Sequence, residues 1–118
     1  MTEVRLFCKE DGSFCRCIAE GHAGFAKRGK DIVCAAESSL LRTALSVLQK
    51  TDGIQVVSDA QKRGRLDFSV LSFAAAQRNR LICVADFIRC GFEELSSEYP
   101  AHIKFFEEKA DWFVPVED

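Results

Sequence analysis

Two amphipathic helical stretches constrain the fold of this chain more than any other feature of its sequence. Each follows two stretches in which apolar and polar residues alternate. In residues 32–50, apolar residues recur every three or four positions, which is the period of a helix with one buried face. Residues 76–99 show the same period, and Pro100 ends the pattern. We therefore expect two helices, each packed through a single apolar stripe.

Each predicted helix follows two stretches whose apolar residues alternate, as they do in half-buried strands. These stretches are residues 4–9, 13–20, 54–59 and 65–73. Asp11 and Gly12 predict a hairpin turn between the first two, and strict alternation places Cys15, Cys17 and Ala19 on one face of the second. The order β-β-α-β-β-α predicts an α+β domain, an antiparallel sheet with both helices packed on one face.

The composition limits the classes of function. A length of 118 residues predicts a single domain over residues 1–118, and a formal net charge of −2 gives no general attraction to nucleic acid or to anionic membranes. No apolar run is long enough for a spanning helix and no secretory signal is evident, so we expect a cytoplasmic protein. The six cysteines are then reduced thiols, and without paired C-x-x-C spacing we expect no metal site and no cofactor.

The end of the chain is rich in aromatic residues. Residues 101–118 contain Phe105, Phe106, Trp112 and Phe113, which is too much apolar surface for a free tail. We expect this C-terminal extension to pack on the body of the domain or on a partner subunit. His102, in the same segment, has no candidate partners close to it in the sequence.

One histidine and one cysteine form the candidate site. His22 directly follows the second predicted strand, and Cys34 lies in the first turn of the first helix. Free N–H groups and the helix dipole favour a thiolate at a helix N-terminus, and the backbone N–H groups of Cys34 and Ala35 are candidate donors to an oxyanion. An imidazole nearby would serve as general base and acid. On position alone, a buried packing thiol remains an alternative for Cys34.

The connection between the two candidate residues contains Gly21, Gly24 and Gly29, which predict a flexible loop that closes over a substrate. Such glycines are also found in plain connecting loops. The other five cysteines, in the predicted strands and second helix, are expected to be inert packing residues.

Two further polar residues flank the candidate nucleophile. Asp31 is placed to cap the helix, and the alternative is that it orients the imidazole as the acid of a triad does. Ser38 lies one turn beyond Cys34 on the same face. Its hydroxyl is expected to bond to the Cys34 carbonyl, and the alternative is that it shapes the site.

The stretch "GHAGFAKRGKDIVCAAES", residues 21–38, resembles the signature of the ribosomal-processing cysteine protease family, Prp. That signature is Gly-His-Ala, a short glycine-bearing loop, Asp-Ile-Val-Cys-Ala-Ala and a serine one position further on. The resemblance extends to about Pro100 and includes the β-β-α-β-β-α order.

The resemblance implies a dimeric cysteine endopeptidase. Its partner would be a ribosomal protein precursor, the twenty-seventh protein of the large subunit, from which it removes an N-terminal extension after a Phe-Phe pair. Carried over to this sequence, Cys34 is the nucleophile of a Cys/His dyad, His22 is the general base and acid, and Asp31 and Ser38 are supporting residues. No direct nucleic-acid or membrane binding is implied.

The sequence departs from that family in two places. Glu37 stands where its members usually carry an aliphatic residue, and the chain beyond Pro100 is longer than is usual. An alternative is therefore a non-catalytic, ribosome-associated binding module that retains the fold. A third interpretation, a thiol redox sensor, requires a resolving cysteine within reach of Cys34.

Overall fold

The structure is a computed structural model that describes residues 1–110 and 115–118. The predicted β-β-α-β-β-α order is confirmed, and two further strands follow it. The elements are β1 (Thr2–Cys8), β2 (Phe14–Gly21), α1 (Ile32–Gln49), β3 (Ile54–Asp59), β4 (Arg65–Phe73), α2 (Arg78–Glu98), β5 (Ile103–Lys109) and β6 (Val116–Glu117), with a short 3-10 turn (Ala75–Gln77) before α2.

The strands form one mainly antiparallel sheet in the order β3-β4-β2-β1-β5. The three pairs among β1 to β4 are antiparallel, as predicted, whereas β5 runs parallel to β1 and β6 runs parallel to β4. Both parallel pairs come from the C-terminal extension. Its Phe105 stacks on Phe92 of α2, with ring centroids 5.9 Å apart. Trp112 and Phe113 lie outside the described residues.

The main core lies between the sheet and the two helices. Each helix buries the apolar stripe that its sequence predicted, including Leu41 and Leu48 on α1 and Leu81 and Ile88 on α2. A fully buried side chain of this size contributes about 1.5–3 kcal/mol. Within residues 1–110 and 115–118, neither helix is long and apolar enough to cross a membrane.

A β-bulge in the first hairpin changes which residues share a face. Cys8 pairs with Phe14 and Phe7 pairs with Arg16, so Cys15 is an extra residue in β2. Cys17 therefore packs in the main core, while Cys15 packs with Phe7 in a small second cluster. The prediction that Cys15 and Cys17 share a face is wrong, because strict alternation holds only for a strand without a bulge.

Candidate active site

A groove of about 790 Å³ opens between the start of α1, the turn that joins β3 to β4, and the connecting loop, by which we mean residues 22–30. His22, Asp31, Cys34 and Ser38 all line this groove. The structure thus brings the four predicted side chains together, although they come from different elements.

The β3–β4 turn supports the ring of His22. A Cβ atom on Gly64 would lie only 2.8 Å from His22 Nε2, and Gly64 has a φ of +76°, so any other residue there would displace the imidazole and strain the turn. The Gly64 carbonyl also accepts a hydrogen bond from the Gly21 N–H at 2.8 Å. Among the described residues, no hydrogen bond joins His22 to Cys34. The sequence did not point to Gly64.

Asp31 accepts four backbone hydrogen bonds and joins two parts of the site. Its Oδ1 accepts from the N–H groups of Val33 and Cys34 at 3.0 and 2.9 Å, and its Oδ2 accepts from those of Phe25 and Ala26 at 2.9 and 3.3 Å. Burial raises the pKa of Asp31, but these N–H groups outweigh that effect and hold the pKa below its usual value. Asp31 is therefore the helix cap, and it also fixes the connecting loop.

We expect Asp31→Ala to destabilise the protein by about 1–2 kcal/mol, because it removes the cap of α1 and both ties to the loop. Asp31→Asn is the matched control. Asparagine caps a helix about as well but loses one of the two acceptor oxygens, so its loss of stability should be smaller. Urea unfolding measures both variants. An Asp31→Ala variant as stable as the wild type would contradict the double role.

The predicted oxyanion donors are already engaged. The Cys34 N–H donates to Asp31 Oδ1 at 2.9 Å, and the Ala35 N–H donates to the Asp31 carbonyl at 3.0 Å. The expectation that both are free is wrong here, because α1 begins at Ile32 and Ala35 is then the first residue to make a bond within the helix. A backbone N–H that does contact the thiol is that of Ala23, which donates to Cys34 Sγ at 3.4 Å.

Burial raises the pKa of the half-buried Cys34 thiol. The Ala23 N–H lowers that pKa, but the carboxylates of Asp31 and Glu37 raise it further. The structure thus gives the Cys34 thiol a raised pKa, whereas its position at the helix N-terminus predicted a lowered one.

Glu37 is a buried carboxylate in the wall of the groove. It is 6% exposed, and within the described part of the chain its Oε1 has no hydrogen-bond partner. Burial raises the pKa of Glu37 and Asp31 adds to the rise, whereas the nearby Thr2 hydroxyl and the positive charge of the amino terminus lower it. The residue that departs from the family pattern therefore lies beside the candidate nucleophile and carries a destabilised charge.

The remaining predicted residues divide into two groups. Ser38 lines the groove and is exposed, and among residues 1–110 and 115–118 its hydroxyl makes no bond to the Cys34 carbonyl. Burial raises the pKa of the thiols of Cys8 and Cys15 to about 12 and about 11, and it also raises that of Cys17, so these three fit the inert role predicted for them. Contrary to the expectation of packing, Cys83 and Cys90 are exposed.

Sequence reasoning missed His102. Its Nδ1 lies 2.8 Å from the Ala23 carbonyl oxygen, and its ring meets that of Phe25 edge-on, with centroids 5.4 Å apart. The two segments are far apart in the chain, so no local pattern indicated the contact.

Comparison with known proteins shows which proteins this chain resembles. The sequence model of the family described as cysteine protease Prp matches residues 1–104 of this chain. The ribosomal processing cysteine protease Prp of Mycoplasma pneumoniae is 35% identical over 94 residues, which cover 79% of this chain and 87% of that protein.

Solved structures show the same fold. The essential ribosomal processing protease Prp from S. aureus, in complex with a covalently linked product peptide, superposes with a TM-score of 0.79 at 17% identity, covering 92% of this chain and all of the other. The same protease in complex with a substrate peptide gives a TM-score of 0.73 at 16% identity with equal coverage.

Proposed function

Since this chain belongs to the cysteine protease Prp family, we propose that it removes the N-terminal extension of a large-subunit ribosomal protein, the twenty-seventh, by cutting after a Phe-Phe pair. The observation that carries the proposal is the groove lined by both His22 and Cys34. Its volume of about 790 Å³ falls in the range of small-ligand and short-peptide sites. The relative from Mycoplasma pneumoniae, named a ribosomal processing protease, supports the substrate class.

The proposed mechanism assigns one role to each member of the dyad. His22 takes the thiol proton, and Cys34 Sγ attacks the scissile carbonyl carbon. His22 then gives the proton to the leaving amine as the C–N bond breaks. Water, activated by His22, hydrolyses the thioester that remains. Because no hydrogen bond joins the two side chains in the described residues, peptide binding must bring the imidazole from its place over Gly64 to the thiol.

The backbone of the connecting loop supplies an oxyanion donor in this proposal. The Ala23 N–H already lies 3.4 Å from Cys34 Sγ. When the sulfur bonds to the scissile carbon, the carbonyl oxygen develops negative charge within reach of such a donor. The loop that contains Gly21, Gly24 and Gly29 is the flexible element that orders over the peptide, while Asp31 fixes its end and Ser38 supports the groove.

The partners follow from the same proposal. The peptide substrate is part of a ribosomal protein precursor, the enzyme acts as a homodimer in the cytoplasm, and it needs no direct contact with nucleic acid or membrane. A formal net charge of −2 supports the absence of nucleic-acid binding.

A peptide that carries the Phe-Phe pair tests the substrate. We expect cleavage after the second phenylalanine, and replacing the pair by Ala-Ala should lower kcat/KM by about 100-fold or more, because two aromatic side chains lose their burial. Mass spectrometry identifies the cut. In a control peptide with the pair moved along the sequence, the cut should move with it. A cut that stays in place would contradict the proposed specificity.

The alternative function is a non-catalytic, ribosome-associated binding module that retains the fold. The raised pKa of Cys34 and the buried Glu37 beside it favour this candidate. A module of this kind leaves the Phe-Phe peptide intact, so prolonged incubation followed by mass spectrometry separates the two functions.

A further inference from the structure

His102 is held rigidly beside the connecting loop. Its backbone N–H donates to the Tyr99 carbonyl at 2.9 Å, and its carbonyl accepts from the Thr2 N–H at 2.9 Å. Ile103, which follows it, is buried in the core. The imidazole of His102 therefore projects from a fixed point between α2 and β5.

The ring of His102 fixes the carbonyl of Ala23. Nδ1 lies 2.8 Å from that oxygen, and since a carbonyl only accepts hydrogen bonds, Nδ1 carries the proton and donates. Ala23 is 1% exposed, so its carbonyl depends on a protein donor rather than on bulk water.

The same residue contacts the nucleophile through its other backbone group. The Ala23 N–H donates to Cys34 Sγ at 3.4 Å. The position of this N–H is set from the opposite side by His102, and the preceding residue is His22. One hydrogen bond from the C-terminal part of the chain thus holds the residue whose N–H contacts the candidate nucleophile.

Aromatic contacts add to this anchor. Phe25 meets Tyr99 and His102 edge-on, with centroid distances of 5.6 and 5.4 Å, and yet its side chain is 43% exposed. Edge-on pairs of this kind are worth about 1 kcal/mol at most sites. They hold the loop close to α2, but they do not determine where an individual N–H group points.

We propose that His102 is a positioning residue, whose Nδ1–H holds Ala23 so that the Ala23 N–H stays directed at the Cys34 thiol. The expected effect of His102 on turnover rests on the proposed function. The expected effect of His102 on the Cys34 thiol is independent of any substrate.

Three substitutions of His102 distinguish the contribution of its hydrogen bond from that of its ring. His102→Asn keeps an N–H donor at about the place of Nδ1 and loses the ring. His102→Phe keeps a ring for Phe25 and loses the donor, and His102→Ala loses both. Lys104→Ala is the matched control, because Lys104 is exposed and lies two residues farther along the same segment.

Alkylation of Cys34 by iodoacetamide as a function of pH is the first readout. It is measured in a Cys83→Ala, Cys90→Ala background, because those two thiols are exposed. The Ala23 N–H lowers the pKa of Cys34, so losing its placement should move the alkylation curve to higher pH. We expect a shift of about half a unit or more for His102→Phe and His102→Ala, and wild-type curves for His102→Asn and Lys104→Ala.

Turnover of the Phe-Phe peptide is the second readout. We expect kcat to fall about tenfold in His102→Phe and His102→Ala with little change in KM, because these variants misplace the Ala23 N–H at the thiol and leave the peptide-binding groove intact. Urea unfolding confirms that each variant is folded at the assay temperature.

A wild-type alkylation curve in His102→Phe would overturn the inference, and so would a shift in His102→Asn equal to that in His102→Ala. If the wild-type protein cleaves no peptide, the proposed function fails, and the alkylation curves still decide the role of His102.

Discussion

Replacing Cys34 by alanine should abolish peptide cleavage, with kcat/KM reduced by about 10⁴-fold or more. The proposed reaction passes through a thioester on Cys34 Sγ, and no other thiol lines the groove among the described residues. The variant should stay folded, because Cys34 is half-buried and packs at the edge of the core. Cleavage of the Phe-Phe peptide and urea unfolding measure the two parts of this prediction.

The chain offers a matched control for the nucleophile. Cys83 is an exposed thiol on α2, so Cys83→Ala should cleave the peptide at the wild-type rate. His22→Ala should lose nearly as much activity as Cys34→Ala, and the double variant should lose little more, because the members of a dyad act as a unit. A Cys34→Ala variant with wild-type turnover would show that the mechanism is wrong.

Much of the fold was predictable, because the main core is formed mostly by one face of the first four strands and by one stripe of each helix. That arrangement leaves a period of two or of about 3.6 in the sequence, and the chain shows both. The strand formed by Ile103–Lys109 was not predicted. It pairs in parallel with β1 at the edge of the sheet, and a parallel edge pairing depends on contacts between distant parts of the chain.

The sequence indicated which residues form the candidate site but not which contacts they make. The motif indicated His22 and Cys34, and both line the groove. The second function of Asp31, as an acceptor for the connecting loop, depends on how that loop folds back. The contact between His102 and Ala23 joins residues 79 positions apart, for which a single sequence carries no signal.

The raised pKa of Cys34 could not be predicted from the N-terminus of α1 alone. A helix N-terminus alone favours a thiolate, and the sequence correctly placed Cys34 in the first turn. The carboxylates of Asp31 and Glu37 act in the opposite direction, and burial adds to them. Their combined effect depends on distances and exposure, which only the folded structure provides.

Replacing Glu37 by leucine should raise the free energy of unfolding by about 1–3 kcal/mol at neutral pH. The carboxylate is 6% exposed and its Oε1 has no hydrogen-bond partner in the described residues, so ionisation leaves a buried charge with one oxygen unsatisfied. Leucine has a similar volume and carries no charge. Urea unfolding at about pH 7.5 measures the gain.

The gain should depend on pH with a defined sign. Burial raises the pKa of Glu37 in the folded protein above its unfolded value, so between the two values the folded state binds more protons. The stability of the wild type therefore falls as the pH rises through this range, whereas the leucine variant has no such loss. The difference between the two proteins should be small near about pH 4 and should reach its full size above the folded pKa.

The same substitution should also change the candidate nucleophile, and this links the stability of the fold to the chemistry of the site. The charge of Glu37 raises the pKa of Cys34, so Glu37→Leu should move the alkylation of Cys34 to lower pH. Glu94→Leu, at an exposed position on α2, is the control and should change neither the pH dependence of stability nor the alkylation curve. A Glu37→Leu variant that is less stable than the wild type at every pH would show that Glu37 has a partner when it is ionised. If only the alkylation curve stayed unchanged, the Glu37 charge would not act on the thiol, and the raised pKa of Cys34 would then come from burial and Asp31 alone.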